Sequence, residues 1–223
     1  MITLLIATRN RHKTEEIRTL LGPHRLCLSL EDFPGAPPVI EDAATFAGNA
    51  TKKAFEIARW LAQNWSLELA PGAFYVLADD SGLEVDALQG APGVHSARFA
   101  ALDTGHPGNS SDADNNAKLL RLLQDVPPQQ RAARFRCTLA LAHPADHKLK
   151  PENTRIFEGT CEGSIQSTSA GHHGFGYDPL FIPLGYTQSF AELGSDIKGA
   201  ISHRAQALAR LKQWLEKSEN KPI

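Results

Sequence analysis

The stretch FYVLADDSGLEVDALQGAPG, residues 74–93, decides how the chain is to be read. Its apolar start, Phe74–Ala78, predicts a strand, and two adjacent acids, Asp79 and Asp80, follow it. Consecutive side chains of a strand point to opposite faces, so only one of the two carboxylates can face a given ligand. A carboxylate at a strand end, released into a turn by Gly82, is a common way to present an acid or a magnesium ligand. Asp and Ser also cap ordinary turns, and Asp79-Asp80-Ser81-Gly82 fits that equally well.

Working outward, Ile2–Ala7 reads as a buried strand, and TRNRHK as a polar loop before a helix, KTEEIRTLLG, closed by Gly22. A second short strand is expected at Arg25–Leu30. The Pro-rich FPGAPPVIE leads into a helix over Ala43–Asn64, whose Phe46, Ala50, Ala54, Ile57, Ala58 and Leu61 recur at helical spacing. SDADNNAKLLRLLQDV is expected as a helix capped by Ser111. Arg134–Ala142 and Thr154–Ile165 alternate well enough to pair as antiparallel strands. GHHGFGYDPLFIP reads as a Gly-rich loop entering a short strand. Ser202–Lys217 reads as a closing helix packed through Ala205, Leu208, Leu211 and Leu215. The stretches 67–73, 103–110 and 143–153 read as variable loops. Helices and strands do not alternate strictly, so the expected class is α/β with a mixed sheet and flanking helices.

Composition narrows the partners. The 223 residues are 42% hydrophobic and 22% charged, with a formal net charge of -2. That gives no surface for bulk nucleic acid. No apolar run is long enough to cross a membrane. Three scattered cysteines without a Cys-x-x-Cys pair suit a reducing compartment, and the expected location is cytoplasmic.

Five short segments carry chemistry. ATRNRHK (7–13) ends a strand and opens a helix, where Thr8, Asn10, Lys13 and loop amides can meet phosphate oxygens; a plain strand–helix connection fits too. Glu41 precedes the long helix, where the dipole alone favours an acid, and gains meaning if Asp80 needs a partner on magnesium. Lys53 lies one turn after Asn49 near the same edge. In GFGYDP (174–179), Phe175 and Tyr177 can stack a base or pack as an aromatic turn. In KGAISHRAQAL (198–208), His203 and Arg204 fall in the first turn of the last helix, against its dipole, and both suit a carbonyl edge. His143 with His147, and His172 with His173, lack any cysteine pair or His-Glu-x-x-His helix, so no zinc site is expected.

Taken in order, ATRNRHK, E…TFAGNATKKA, ADDSGLEVDALQGAPGVHSARFA, GFGYDPLFIP and KGAISHRAQAL resemble the inosine triphosphate pyrophosphatase family across essentially the whole chain. The resemblance implies one domain over residues 1–223, with an elongated mixed β-sheet, flanking helices and two lobes around a central nucleotide cleft. It implies a homodimer that needs Mg2+ and cleaves non-standard purine nucleoside triphosphates (ITP, dITP, XTP) to the monophosphate and pyrophosphate. By the same resemblance Thr8, Arg9, Asn10, Arg11, His12, Lys13 and Lys53 hold the triphosphate, and Glu41 and Asp80 hold magnesium. Asp80 also accepts the proton of the attacking water, and Ser81 touches the substrate. Phe175, Gly176, Tyr177 and Asp178 line the base and sugar pocket, while Lys198, His203 and Arg204 contact the base. Arg9 stands where many members have glycine, His172-His173 replace smaller residues, and the loops at 103–110 and 143–153 are longer than usual. Related enzymes acting on modified pyrimidine nucleotides (the Maf-like group) and a non-catalytic nucleotide-binding module are the competing readings.

Overall fold

The computed structural model describes residues 2–65, 73–105, 107–145 and 149–219. The loop expected at 67–73 and His147 therefore lie wholly or almost wholly outside the described residues. Six strands and five longer helices follow in the order β1 (Ile2–Ile6), α1 (Arg11–Leu21), β2 (Leu26–Ser29), α2 (Phe46–Asn64), β3 (Ala73–Val85), α3 (Asp112–Leu122), β4 (Ala132–Ala142), β5 (Arg155–Ile165), β6 (Phe181–Pro183), α4 (Phe190–Ile201) and α5 (His203–Glu219). The strands form one sheet in the order β2-β1-β3-β4-β5-β6. β1 runs parallel to both β2 and β3, whereas β5 and β6 are antiparallel, so the sheet is mixed as expected. Among the described residues no helix is long and apolar enough to cross a membrane, and Cys27, Cys137 and Cys161 form no disulfide.

The chain divides into two compact units. The first takes Met1–Asp80, Cys137–Glu158 and Gln206–Ile223, and the second takes Ser81–Arg136 and Gly159–Ala205. In the first, the pleat sorts side chains into two apolar clusters. Leu5, Ala7, Phe74, Val76 and Ala78 pack with Ala50, Ala54, Ile57 and Leu61 of α2. Leu4, Ile6 and Leu77 pack with Ile17 and Leu21 of α1 and with Leu208, Leu211 and Leu215 of α5. The even residues of β3 thus face α2, and the odd ones face α1 and α5. In the second unit Leu83, Val85, Phe135, Leu119, Tyr177, Phe181 and Phe190 form one core.

Several expected boundaries move. β3 does not stop at Ala78: it runs to Val85, with Leu83 and Val85 fully buried, so Asp79–Gly82 lies inside a strand and not in a turn. Asp, Ser and Gly are poor strand formers, and tertiary contacts override them here. α1 begins at Arg11, because Asn10 caps it by accepting the Lys13 N–H at 3.1 Å; only Thr8–Asn10 remains loop. α2 starts at Phe46 behind the Thr45 cap, and α3 stops at Leu122. Ser111 and Ser202 cap α3 and α5 as expected. In α5 it is Ala207 that is buried, while Ala205 is only half-buried. Helix α4, opened by a Ser189–Glu192 capping box, was not anticipated.

Candidate active site

The two acids of β3 diverge as the pleat requires. Asp80, on the α2 face, accepts from Asn49 Nδ2 at 3.1 Å and lies 3.4 Å from Lys53 Nζ. Lys53 also donates to Glu41 Oε2 at 2.9 Å and to the Asp79 carbonyl at 2.7 Å. One buried ammonium therefore draws two carboxylates, thirty-nine residues apart in sequence, to a single point. Asn49 contributes twice, since its Oδ1 also accepts the Ala43 N–H at 2.9 Å and so ties the segment after Glu41 to α2.

Electrostatics separates the two carboxyls. Burial pushes Asp80 up to about 6, with the nearby Glu41 charge adding to the rise and Lys53 and Lys13 opposing it. Burial acts on Glu41 in the same sense but is outweighed by Lys53, so Glu41 stays below the usual carboxylate range. Burial lowers Lys53, yet Asp80 and Glu41 more than compensate and keep it charged. The result is one firmly anionic carboxylate beside one that gains a proton near neutral pH.

Asp79 points the other way. Its side chain is fully buried, with Oδ1 2.7 Å from Lys13 Nζ of α1 and Oδ2 accepting from Cys137 Sγ at 3.3 Å. It therefore anchors the start of α1 to the sheet, while its charge attracts Lys53 less than those of Asp80 and Glu41 do. Around it, Thr8 Oγ1 accepts the Asn10 N–H at 3.2 Å, Arg9 donates to the Ala36 carbonyl at 2.8 Å, and Arg11 pairs with exposed Glu31 at 3.1 Å. Thr8, Arg9 and Arg11 line a surface depression of about 930 Å³, together with Thr14, Arg18 and Ser29. His12 is exposed in the first turn of α1.

The second unit holds the other group of expected residues. Lys198 of α4 lies 2.6 Å from Asp178 Oδ2, and that same oxygen accepts the Phe175 N–H at 2.8 Å. Gly174 has φ +78, and a side chain there would run into the Asp178 carboxylate, so only glycine admits this turn. The half-buried Phe175 ring carries Lys198 Nζ at 4.6 Å and Arg204 at 5.9 Å from its centroid. Tyr177 is packed in the core with its hydroxyl donating to the Ser96 carbonyl at 2.9 Å, whereas Phe175 is only half-buried. Arg204, 1% exposed, donates to Ser81 Oγ at 2.8 Å. His203 is buried and stacks on Phe135 at 4.8 Å, with 14° between the planes.

The geometry brings Glu41, Lys53 and Asp80 together in one unit, and Ser81, Phe175, Asp178, Lys198 and Arg204 in the other. Sequence reasoning did not single out Cys137, Ser96, or the two α3 residues that hydrogen-bond Gly176, Asp112 and Asn116, as parts of these constellations. Cys137 and Ser96 carry no spacing signal, and Asp112 and Asn116 show only as four residues apart in a helix. Among the described residues no group of three or more His, Cys, Asp or Glu is placed to hold a metal ion.

The family model of the Ham1 family matches residues 4–214. The chain belongs to the Ham1 family. Among relatives of the family, a dITP/XTP pyrophosphatase of Desulforamulus reducens is 48% identical over 217 residues, 96% of each chain. One of Shouchella clausii is 43% identical over 97% of this chain and 98% of its own. Among solved structures, a HAM1 protein from Coxiella burnetii superimposes with a TM-score of 0.78 at 34% identity, covering 97% of this chain and all of that one. The Staphylococcus aureus Ham1 protein gives 0.77 at 33% identity, over 97% and 99%. The mixed α/β class read from the sequence is thus the fold of the family.

Proposed function

We propose that this chain hydrolyses the non-standard purine nucleoside triphosphates ITP, dITP and XTP to the nucleoside monophosphate and pyrophosphate, by magnesium-assisted attack of water on the α-phosphorus. The observation that carries the proposal is the convergence of Glu41 and Asp80 on Lys53. Full-length similarity to relatives named dITP/XTP pyrophosphatases supports the substrate class. Two carboxylates, buried Asp80 and half-buried Glu41, converging where one cation already sits are hard oxygen donors suited to magnesium, which typically takes one or two carboxylates and completes its shell with phosphate oxygens and water. Glu41 and Asp80 would hold the ion, which when bound neutralises charge on the triphosphate.

The chain's own groups do the rest. Asp80, poised near neutral pH, accepts the proton of the attacking water. Lys53 holds that carboxylate in place and supplies a positive charge for the triphosphate, together with Thr8–Lys13. Phe175 offers a face to the base. Lys198, His203 and Arg204 contact it, and their donors suit a 6-oxo group; adenine would present its own donor there and leave them unpaired. The homodimer belongs to the same proposal and is checked by mass in solution.

The test is a nucleotide panel with and without magnesium. Pyrophosphate release from ITP and XTP, with little from ATP or GTP and none after chelation, is the expected result. Equal turnover of all purines would defeat the selectivity. Preference for modified pyrimidines would favour the Maf-like reading, and saturable ITP binding without pyrophosphate release the non-catalytic one.

A further inference from the structure

Gly176, in the middle of the loop that carries Phe175, has φ +63 and open space where a side chain would stand, so packing does not hold it. Hydrogen bonds do. Its N–H donates to Asp112 Oδ2 at 2.6 Å, and its carbonyl accepts from Asn116 Nδ2 at 3.0 Å. Asp112 and Asn116 are four residues apart in α3, hence on one face of the helix. One helix thus grips both polar backbone groups of a single loop residue. The Asn116 Oδ1 atom is buried with no hydrogen-bond partner, which is unfavourable, so the amide is oriented by its bond to Gly176 and not by its own oxygen. Phe175, directly before Gly176, is the ring over which Lys198 and Arg204 stand.

We infer that Asp112 and Asn116 of α3 are positioning residues for base recognition, holding Gly176 so that the Phe175 ring presents its face at a fixed place. The inference rests on the proposed reading of residues 174–178 as the base loop. A simpler role exists for Asp112: an acid in the first turn of a helix favours the dipole. That role affects stability alone, whereas positioning affects the base and leaves the chemistry at Glu41, Lys53 and Asp80 intact.

The experiment is steady-state kinetics on ITP and ATP, with thermal melts, for the full chain and for Asp112→Ala, Asp112→Asn and Asn116→Ala. Asp112→Ala and Asn116→Ala should each raise KM for ITP about tenfold, the effect of losing one good hydrogen bond to the loop, with kcat within about threefold of wild type. The ITP preference over ATP should narrow in parallel. Asp112→Asn keeps an accepting oxygen and should recover most of the loss. Unchanged KM and preference in both alanine variants, or a fall in kcat and melting temperature with KM unchanged, would overturn the inference. A wild-type chain that binds and cleaves no ITP would instead remove the reading on which it rests.

Discussion

Replacing Asp80 by Asn should abolish turnover and, at neutral pH, make the protein more stable. Burial raises the Asp80 carboxyl from 3.8 to about 6, so ionising it in the folded protein is disfavoured by ~3 kcal/mol. That net figure already contains the attraction of Lys53 and the Asn49 hydrogen bond. The neutral Asn escapes the penalty but gives Lys53 one partner fewer, which leaves a gain of about 1–3 kcal/mol, or roughly 2–12 °C in melting temperature for a chain of this size. The pH dependence gives the sign. Between about pH 4 and pH 6 the folded wild type holds the Asp80 proton more tightly than the unfolded chain does. Its stability therefore falls as pH rises through that window and is fully reduced above it. Asp80→Asn lacks this term, so its advantage should be near zero at pH 4 and complete by about pH 7. Glu41, shifted the opposite way, is present in both proteins and cancels to first order. The assay is a pair of thermal melts with chelator present, at pH 4.5 and pH 8, alongside pyrophosphate release from ITP with magnesium. Magnesium should raise the melting temperature of the wild type and leave that of Asp80→Asn almost unchanged. An Asn variant less stable than wild type at pH 8, or an advantage that does not grow between the two pH values, would refute the reasoning.

Asp79→Asn should show the reverse pairing, keeping part of the turnover but losing about 1–3 kcal/mol in a thermal melt, because half-buried Lys13 loses its 2.7 Å carboxylate; a rise in melting temperature would contradict the assigned role. Gly174→Ala should cost about 1–3 kcal/mol through its left-handed φ and its clash with Asp178, and raise KM for ITP by loosening the Lys198–Asp178–Phe175 chain, as melts and steady-state kinetics would show.

How much was legible follows from what each feature depends on. The α2 stripe, the caps at Ser111 and Ser202 and the mixed sheet rest on local spacing, and local spacing is visible in a sequence. Helix α4 escaped because Gly194, with φ +78, interrupts its periodicity inside FAELGSDIKGAI. The pinning of Gly176 by Asp112 and Asn116 escaped because its partners stand sixty and more residues apart.

Strand β3 shows where the reasoning by pattern succeeds and fails at once. The period of two correctly sends Asp79 and Asp80 to different helices, since period is a property of the backbone. Where the strand ends is not such a property. ADDSG reads as a turn by propensity, and it is held extended inside the sheet where Lys13 meets one acid, Lys53 meets the other, and Ser96 Oγ accepts the Leu83 N–H at 2.9 Å just beyond. The consequence is chemical. A carboxylate released into a turn would be solvated and ordinary, whereas one held inside a strand is desolvated and pushed up to about 6. The same burial that hides the strand from propensity rules gives Asp80 a proton affinity suited to a base near neutral pH.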